Sequence, residues 1–96
     1  HMRVVIKRST KEAKKYMATF YDGSKKVKTT HFGAAGMSDY TKHKDPERKQ
    51  RYLKRHRTRE TWSNPMSAGS LSRWILWNLP TLTASKADYK RRFHLT

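Results

Sequence analysis

From Arg48 to Arg59 the chain places seven Lys or Arg in twelve residues, five of them Arg, with no acid among them. The chemistry open to such a run is neutralisation of a polyanion. Phosphate oxygens fit best, because the planar guanidinium fork can give them two parallel hydrogen bonds. A helix face that is merely solvated usually carries Glu or Asp at i,i+4 from its cations, and here those partners are missing. Asp45, Pro46 and Glu47 just ahead form a helix start: an N-cap acceptor, a proline at the first helical position and an acid in the first turn. A helix over Asp45 to Glu60 spans about 24 Å, enough to lie along or across a groove. At about 100° per residue, Tyr52, Leu53, His56 and the stem of Lys49 share one narrow stripe. Arg48, Arg51, Lys54, Arg55 and Arg59 share the opposite arc, and Lys42 and Lys44 carry the charge on ahead of the helix. Gln50 and Arg51 are of types that read base edges, but any basic helix contains such residues. Backbone contact with little sequence preference is therefore expected.

Two further clusters are cationic. Lys25, Lys26 and Lys28 stand in a hairpin with Lys14 and Lys15 on its other limb, and Phe20 and Tyr21 are interleaved. Such aromatics either stack on single strands or form the core face of a sheet. Lys90, Arg91 and Arg92 close a last helix as a third nucleic-acid-binding candidate, although the helix dipole alone also favours cations there. The run from Gly33 to Gly36 reads as a tight turn or an anion cradle, and lacks the Lys-Ser/Thr of a phosphate-binding loop. Asp39 and His43, at i,i+4, are of the right types for two metal ligands or an acid–base pair, with His31 and His56 available to join them. No H-E-x-x-H, paired carboxylates or nucleophile motif accompanies them. A metal-dependent nuclease is thus the weakest reading, and the expectation is no catalytic residue, no metal and no cofactor.

These residues need a scaffold, and 96 residues allow one compact domain. Lys plus Arg number 23 against 7 acids, a net charge of +16 that repels itself in a compact state unless a polyanion is bound. There is no cysteine, so disulfides and thiolate metal sites are excluded. No apolar run reaches the roughly 18 residues of a membrane span. The Trp-rich and Lys/Arg-rich segments are separate, which argues against a membrane-surface helix. His1 and Met2 read as a cloning scar, leaving a domain at residues 3–95. Arg3–Arg8, Lys15–Asp22 and Lys25–Phe32 read as strands, with Asp22-Gly23-Ser24 as the hairpin turn and Ser9–Lys15 as a connection. Ser38 or Asp39 caps a short helical turn. Leu71–Leu79 is apolar nearly all round a helical wheel, reads as the buried central helix stopped by Pro80, and places Trp74 and Trp77 in the core. Thr83 or Ser85 caps a last helix in which Ala84, Ala87 and Lys90 or Arg91 line one side. The fold class is α+β, a three-stranded antiparallel meander followed by three to four helices.

The stretches FYDGSKKVKTTHFGAAGMSDYTKHKD, RKQRYLKRH, NPMSAGSLSRWILWN and ADYKRRF resemble a small family of basic proteins of unknown function encoded by large nucleocytoplasmic DNA viruses of algae and protists. The resemblance covers about Lys14 to Phe93 and carries over no catalytic residue. It implies a genome-binding or virion-packaged protein, located in the virion, the host nucleus or the viral factory. The expected partner is double-stranded DNA, bound without sequence preference, with RNA or single strands as the alternative. Self-association as a homodimer or higher oligomer would assist packaging.

Overall fold

Alternation of apolar and polar residues drives the N-terminal third into a sheet. The computed structural model describes residues 2–57 and 62–96. Strands β1 (Met2–Arg8), β2 (Lys14–Asp22) and β3 (Lys25–Ala34) form an antiparallel sheet in the order β1-β2-β3. Val4, Ala18, Phe20 and Phe32 are buried on one face, and Arg3, Lys7 and Thr29 are exposed. Met2 is part of the fold: it pairs with Asp22, and its carbonyl accepts the N–H of Thr96. One register shift after Phe20 leaves Val27 unpaired and 47% exposed on β3.

A three-stranded sheet of this size needs a cover on its apolar face. That cover is α3 (Ala68–Leu71), continued by a π-helical turn, Ser72–Leu76, and α4 (Leu82–Arg92). Leu71, Ile75, Leu76, Tyr89 and Leu95 join the four sheet residues in one core. Gly33 in β3 lets the helix close down. Its φ of +79° disfavours a side chain, and a Cβ there would lie 2.8 Å from Leu76 Cδ1. The close packing expected of this glycine is thus present, but inside β3 and not in a turn. Gly36, at φ +82°, simply turns the chain, with nothing within 4 Å of a Cβ.

The central helix differs from its expected bounds. It starts at Ser67, whose hydroxyl accepts the Ser70 N–H, and ends at Trp77, short of Pro80. Its last carbonyls are capped by cations. Arg73 donates to the Trp77 carbonyl at 3.0 Å and Lys49 to the Asn78 carbonyl at 2.7 Å, which settles groups that a helix end leaves unpaired. The cap of α4 is Thr81, not Thr83 or Ser85. Its buried side is Ser85 and Tyr89, while Ala84 and Ala87 are exposed. Polar-tipped residues can take the inner face because their polar atoms find partners there. Ser85 exchanges hydrogen bonds with the Leu79 backbone, and the Tyr89 hydroxyl donates to the Pro65 carbonyl.

Candidate nucleic-acid interface

The cationic helix α2 (Pro46–His56) begins as its sequence requires, with Asp45 accepting the Glu47 N–H at 3.0 Å and Pro46 first in the helix. It is eleven residues long, about 16 Å, and Arg57 is its C-cap. The extension to Glu60, and with it Arg59, lies outside the described residues. Tyr52 is its one buried side chain. The Tyr52 ring lies parallel to Trp77, centroids 4.2 Å apart and planes 3° from parallel, and His56 stacks on Tyr52, also at 4.2 Å. Lys49 adds its hydrogen bond to Asn78 and lies 5.0 Å from the Tyr40 ring centre. Burial, then the nearby Arg73, lowers the Lys49 ammonium below its ordinary pKa. The stripe of Lys49, Tyr52, Leu53 and His56 is thus the packing face.

The opposite arc is open. Arg48, Arg51, Lys54, Arg55 and Arg57 are exposed and, among the described residues, make no side-chain hydrogen bond or ion pair. Lys42 and Lys44 are exposed as well, on and just after α1 (Tyr40–His43). Four cations on one short helix and a fifth at its C-cap, none paired among the described residues, can neutralise phosphates without first breaking an internal contact.

Lys25, Lys26 and Lys28 are exposed at the hairpin end of β3. Lys14 pairs with Ala34 at the far end of the same ladder, so Lys14 and Lys15 lie about 26 Å from that hairpin and belong to a different surface. Phe20 is fully buried and can stack on nothing outside, and Tyr21 on the other face is covered by Arg3, 4.3 Å from its ring centre. Lysines on an exposed edge strand also block sheet-to-sheet pairing.

The α4 cluster is largely occupied. Asp88 binds Arg91 at 3.2 Å and Arg92 at 3.5 Å, and accepts from Asn78 at 2.7 Å. Arg92 and Arg73 each stack on Trp74, at 3.8 and 4.1 Å. Burial pushes the Arg73 guanidinium down, and Arg92 beside it adds to this. Burial alone would raise the Asp88 carboxyl, but the Asn78 hydrogen bond and the two arginines prevail and hold it below its usual range. Lys90 is half-buried.

Asp39 and His43 do not form an open pair. Asp39 is 1% exposed and caps α1, accepting from the Thr41 N–H and hydroxyl, and its other oxygen holds Lys15 at 2.5 Å. His43 Nδ1 accepts the Asp45 N–H at 3.0 Å. Among the described residues no group of three His, Cys, Asp or Glu could hold a metal ion. None of their helices is long and apolar enough to cross a membrane.

Sequence reasoning missed one feature. Arg8, Lys11, Lys14, Lys15 and Lys42 line a cleft of about 510 Å³ beside the Gly36–Ser38 turn, with Glu12 as its single acid. Arg8 and Lys42 are 34 residues apart in sequence, and the β1–β2 register, together with the Asp39–Lys15 ion pair that ties the cap of α1 to β2, brings them together.

Together the sheet, its helical cover and the open cationic helix define a small basic α+β domain. The chain matches a family of unknown function, DUF5754, over residues 4–56, more than half its length, and belongs to that family. No curated protein and no solved structure matches it. The matched span runs from β1 through α2 and includes the cleft, but leaves out α3 and α4.

Proposed function

We propose that this protein is a non-enzymatic nucleic-acid-binding module that clamps the phosphate backbone of double-stranded DNA with little sequence preference. The observation that carries the reading is the open arc of α2, whose cations Arg48, Arg51, Lys54 and Arg55 are exposed and unpaired among the described residues, with Arg57 at the C-cap exposed and unpaired beside them. A helix with one buried residue and a stacked Trp77–Tyr52–His56 anchor is held firmly enough to present that arc as a fixed surface. The hairpin lysines, remote from α2, supply a second cationic face through which one molecule can touch two duplex segments. Compaction of a viral genome is the task this would serve, and that setting rests on the sequence resemblance alone.

Electrophoretic shifts of duplexes of unrelated sequence across a salt series test the reading. With about five phosphates neutralised, log affinity should fall with log salt at a slope near −4.5, a loss of roughly 500-fold between about 50 and about 200 mM. Unrelated duplexes should bind within a few-fold of one another. Binding that does not change with salt would overturn the proposal.

A further inference from the structure

The cationic cleft does not stand alone. A second cavity of about 370 Å³ adjoins it, and Lys14, Lys15, Met37 and Ser38 line both. The two differ in chemistry. The first is walled by ammonium and guanidinium groups from the β1–β2 connection, the start of β2 and α1. Of its five cations only Lys15 is in an ion pair among the described residues, which leaves four without one against Glu12. In the second, Trp77 and Met37 contribute exposed apolar surface, Phe32 and Leu76 behind them are buried, Tyr52 is already stacked between Trp77 and His56, and Arg55 of α2 stands at its side. Ser38 and Ser72, which also line it, make no side-chain hydrogen bond among the described residues. Met37 sits between the two cavities and is 65% exposed, an apolar side chain held out in a basic surround.

A ligand that fits both cavities at once has a compact anion joined to a flat, largely apolar ring. Both volumes fall in the range of small-ligand sites. Contact of a heterocycle with an exposed aromatic side chain, here Trp77, and charge pairing with Lys and Arg are the two ordinary components of single-strand recognition. We infer that the paired cavities bind a nucleoside phosphate, with the phosphate among Arg8, Lys11, Lys14 and Lys42 and the base in the pocket beside Trp77. Arg55 lies both on the open arc of α2 and in the base pocket, so a strand held on α2 has a continuous path to the cleft. The inference rests on the proposed DNA-binding role for its source at a strand end, and a free nucleotide offers the same chemistry.

Two sets of probes test it. The first compares a blunt duplex, the same duplex with a single-stranded 5′ overhang, and that overhang carrying a terminal phosphate. The second compares adenosine 5′-monophosphate with inorganic phosphate, read by quenching of tryptophan fluorescence, with Trp77→Phe as the control. Expected results are about tenfold tighter binding of the phosphorylated overhang than of the blunt duplex, from one stacked base and its phosphate. The mononucleotide should quench Trp77 and inorganic phosphate should not. Lys11→Glu with Lys14→Glu, both at exposed positions, should erase the overhang preference and leave the thermal melt and blunt-duplex binding nearly unchanged. Mononucleotide binding without overhang preference would place the source in free nucleotides, and the converse in strand ends. Equal binding of all three duplexes together with no mononucleotide quenching overturns the inference while leaving the duplex clamp intact. Loss of blunt-duplex binding with nucleotide quenching retained would instead overturn the clamp.

Discussion

Helices α2 and α4 both end in cations, yet the two runs do different work. In α4, Asp88 stands three and four residues before Arg91 and Arg92 and pairs with both, and Trp74 takes Arg92 and Arg73 against its ring. In α2 the acid is Glu47 in the first turn, and no acid follows in the helix. Its aromatic contacts, Tyr52 on Trp77 and His56 on Tyr52, lie on the packing side, so Arg51, Lys54 and Arg55 meet neither acid nor ring among the described residues. One acid a turn earlier, and one indole within reach, decide whether an arginine fastens the fold or stays free for a ligand. A net charge of +16 says nothing about that division.

The largest expected effect comes from reversing the free set. Arg51→Glu, Lys54→Glu and Arg55→Glu together should weaken duplex binding at low salt on the order of 1,000-fold, about 4 kcal/mol. The thermal melt should stay nearly where it was, since none of the three has an internal partner. Arg91→Glu with Arg92→Glu should do the opposite, lowering the melt and costing only a few-fold in binding. Equal binding losses from the two helices would erase the distinction between them.

The next effect concerns the anchor. Tyr52→Ala removes the ring between Trp77 and His56 and should cost about 3 kcal/mol of stability in denaturant titration. Because it also frees α2 from Trp77 at the end of the central helix, duplex binding should fall although no cation is touched. A smaller loss, about 2 kcal/mol, is expected for Trp74→Leu, which strips Arg73 and Arg92 of their shared ring. Duplex binding should then hold, because Arg73 is engaged by the Trp77 carbonyl and Arg92 by Asp88. If Trp74→Leu instead lowers binding as much as Tyr52→Ala, the α4 side also contacts the ligand.

Much of this division was legible in the sequence. The two-residue alternation around Val4, Ala18, Phe20 and Phe32 places the core face of the sheet, and Asp45-Pro46 with the Lys49–Tyr52–His56 stripe places α2 and its buried side. The start of α4 was not legible, since Thr81, Thr83 and Ser85 are all capping types and only the position of Pro80 and the helix before it selects among them. Nor was its inner face, where Ser85 and Tyr89 look polar until their partners at Leu79 and Pro65 are in place. The cleft was hidden for another reason. Arg8, Lys11, Lys14 and Lys42 come from three elements, and a one-residue change of strand register would scatter them.

The smallest effect tests the α4 side by pH. The Asp88 carboxyl is held below its ordinary value by Asn78, Arg92 and Arg91, which outweigh the opposing effect of burial. An acid with a depressed folded pKa contributes stability that is fully present above its unfolded value, about 3.9, and is lost as pH falls through the folded value. Asp88→Asn should therefore lower stability at neutral pH by about 0.5 kcal/mol, the scale of a partly exposed ion pair, and flatten the decline below about pH 4. Duplex binding at neutral pH should not fall, and a slight rise is expected as Arg91, already 74% exposed, loses its acid. The corresponding change in α2, Glu47→Gln, removes no ion pair found among the described residues and should leave duplex binding at neutral pH within a few-fold of the wild type. An Asp88→Asn melt that follows the wild type at every pH would mean that Trp74 alone holds the α4 arginines, and that the acid a turn earlier is not what separates the two helices.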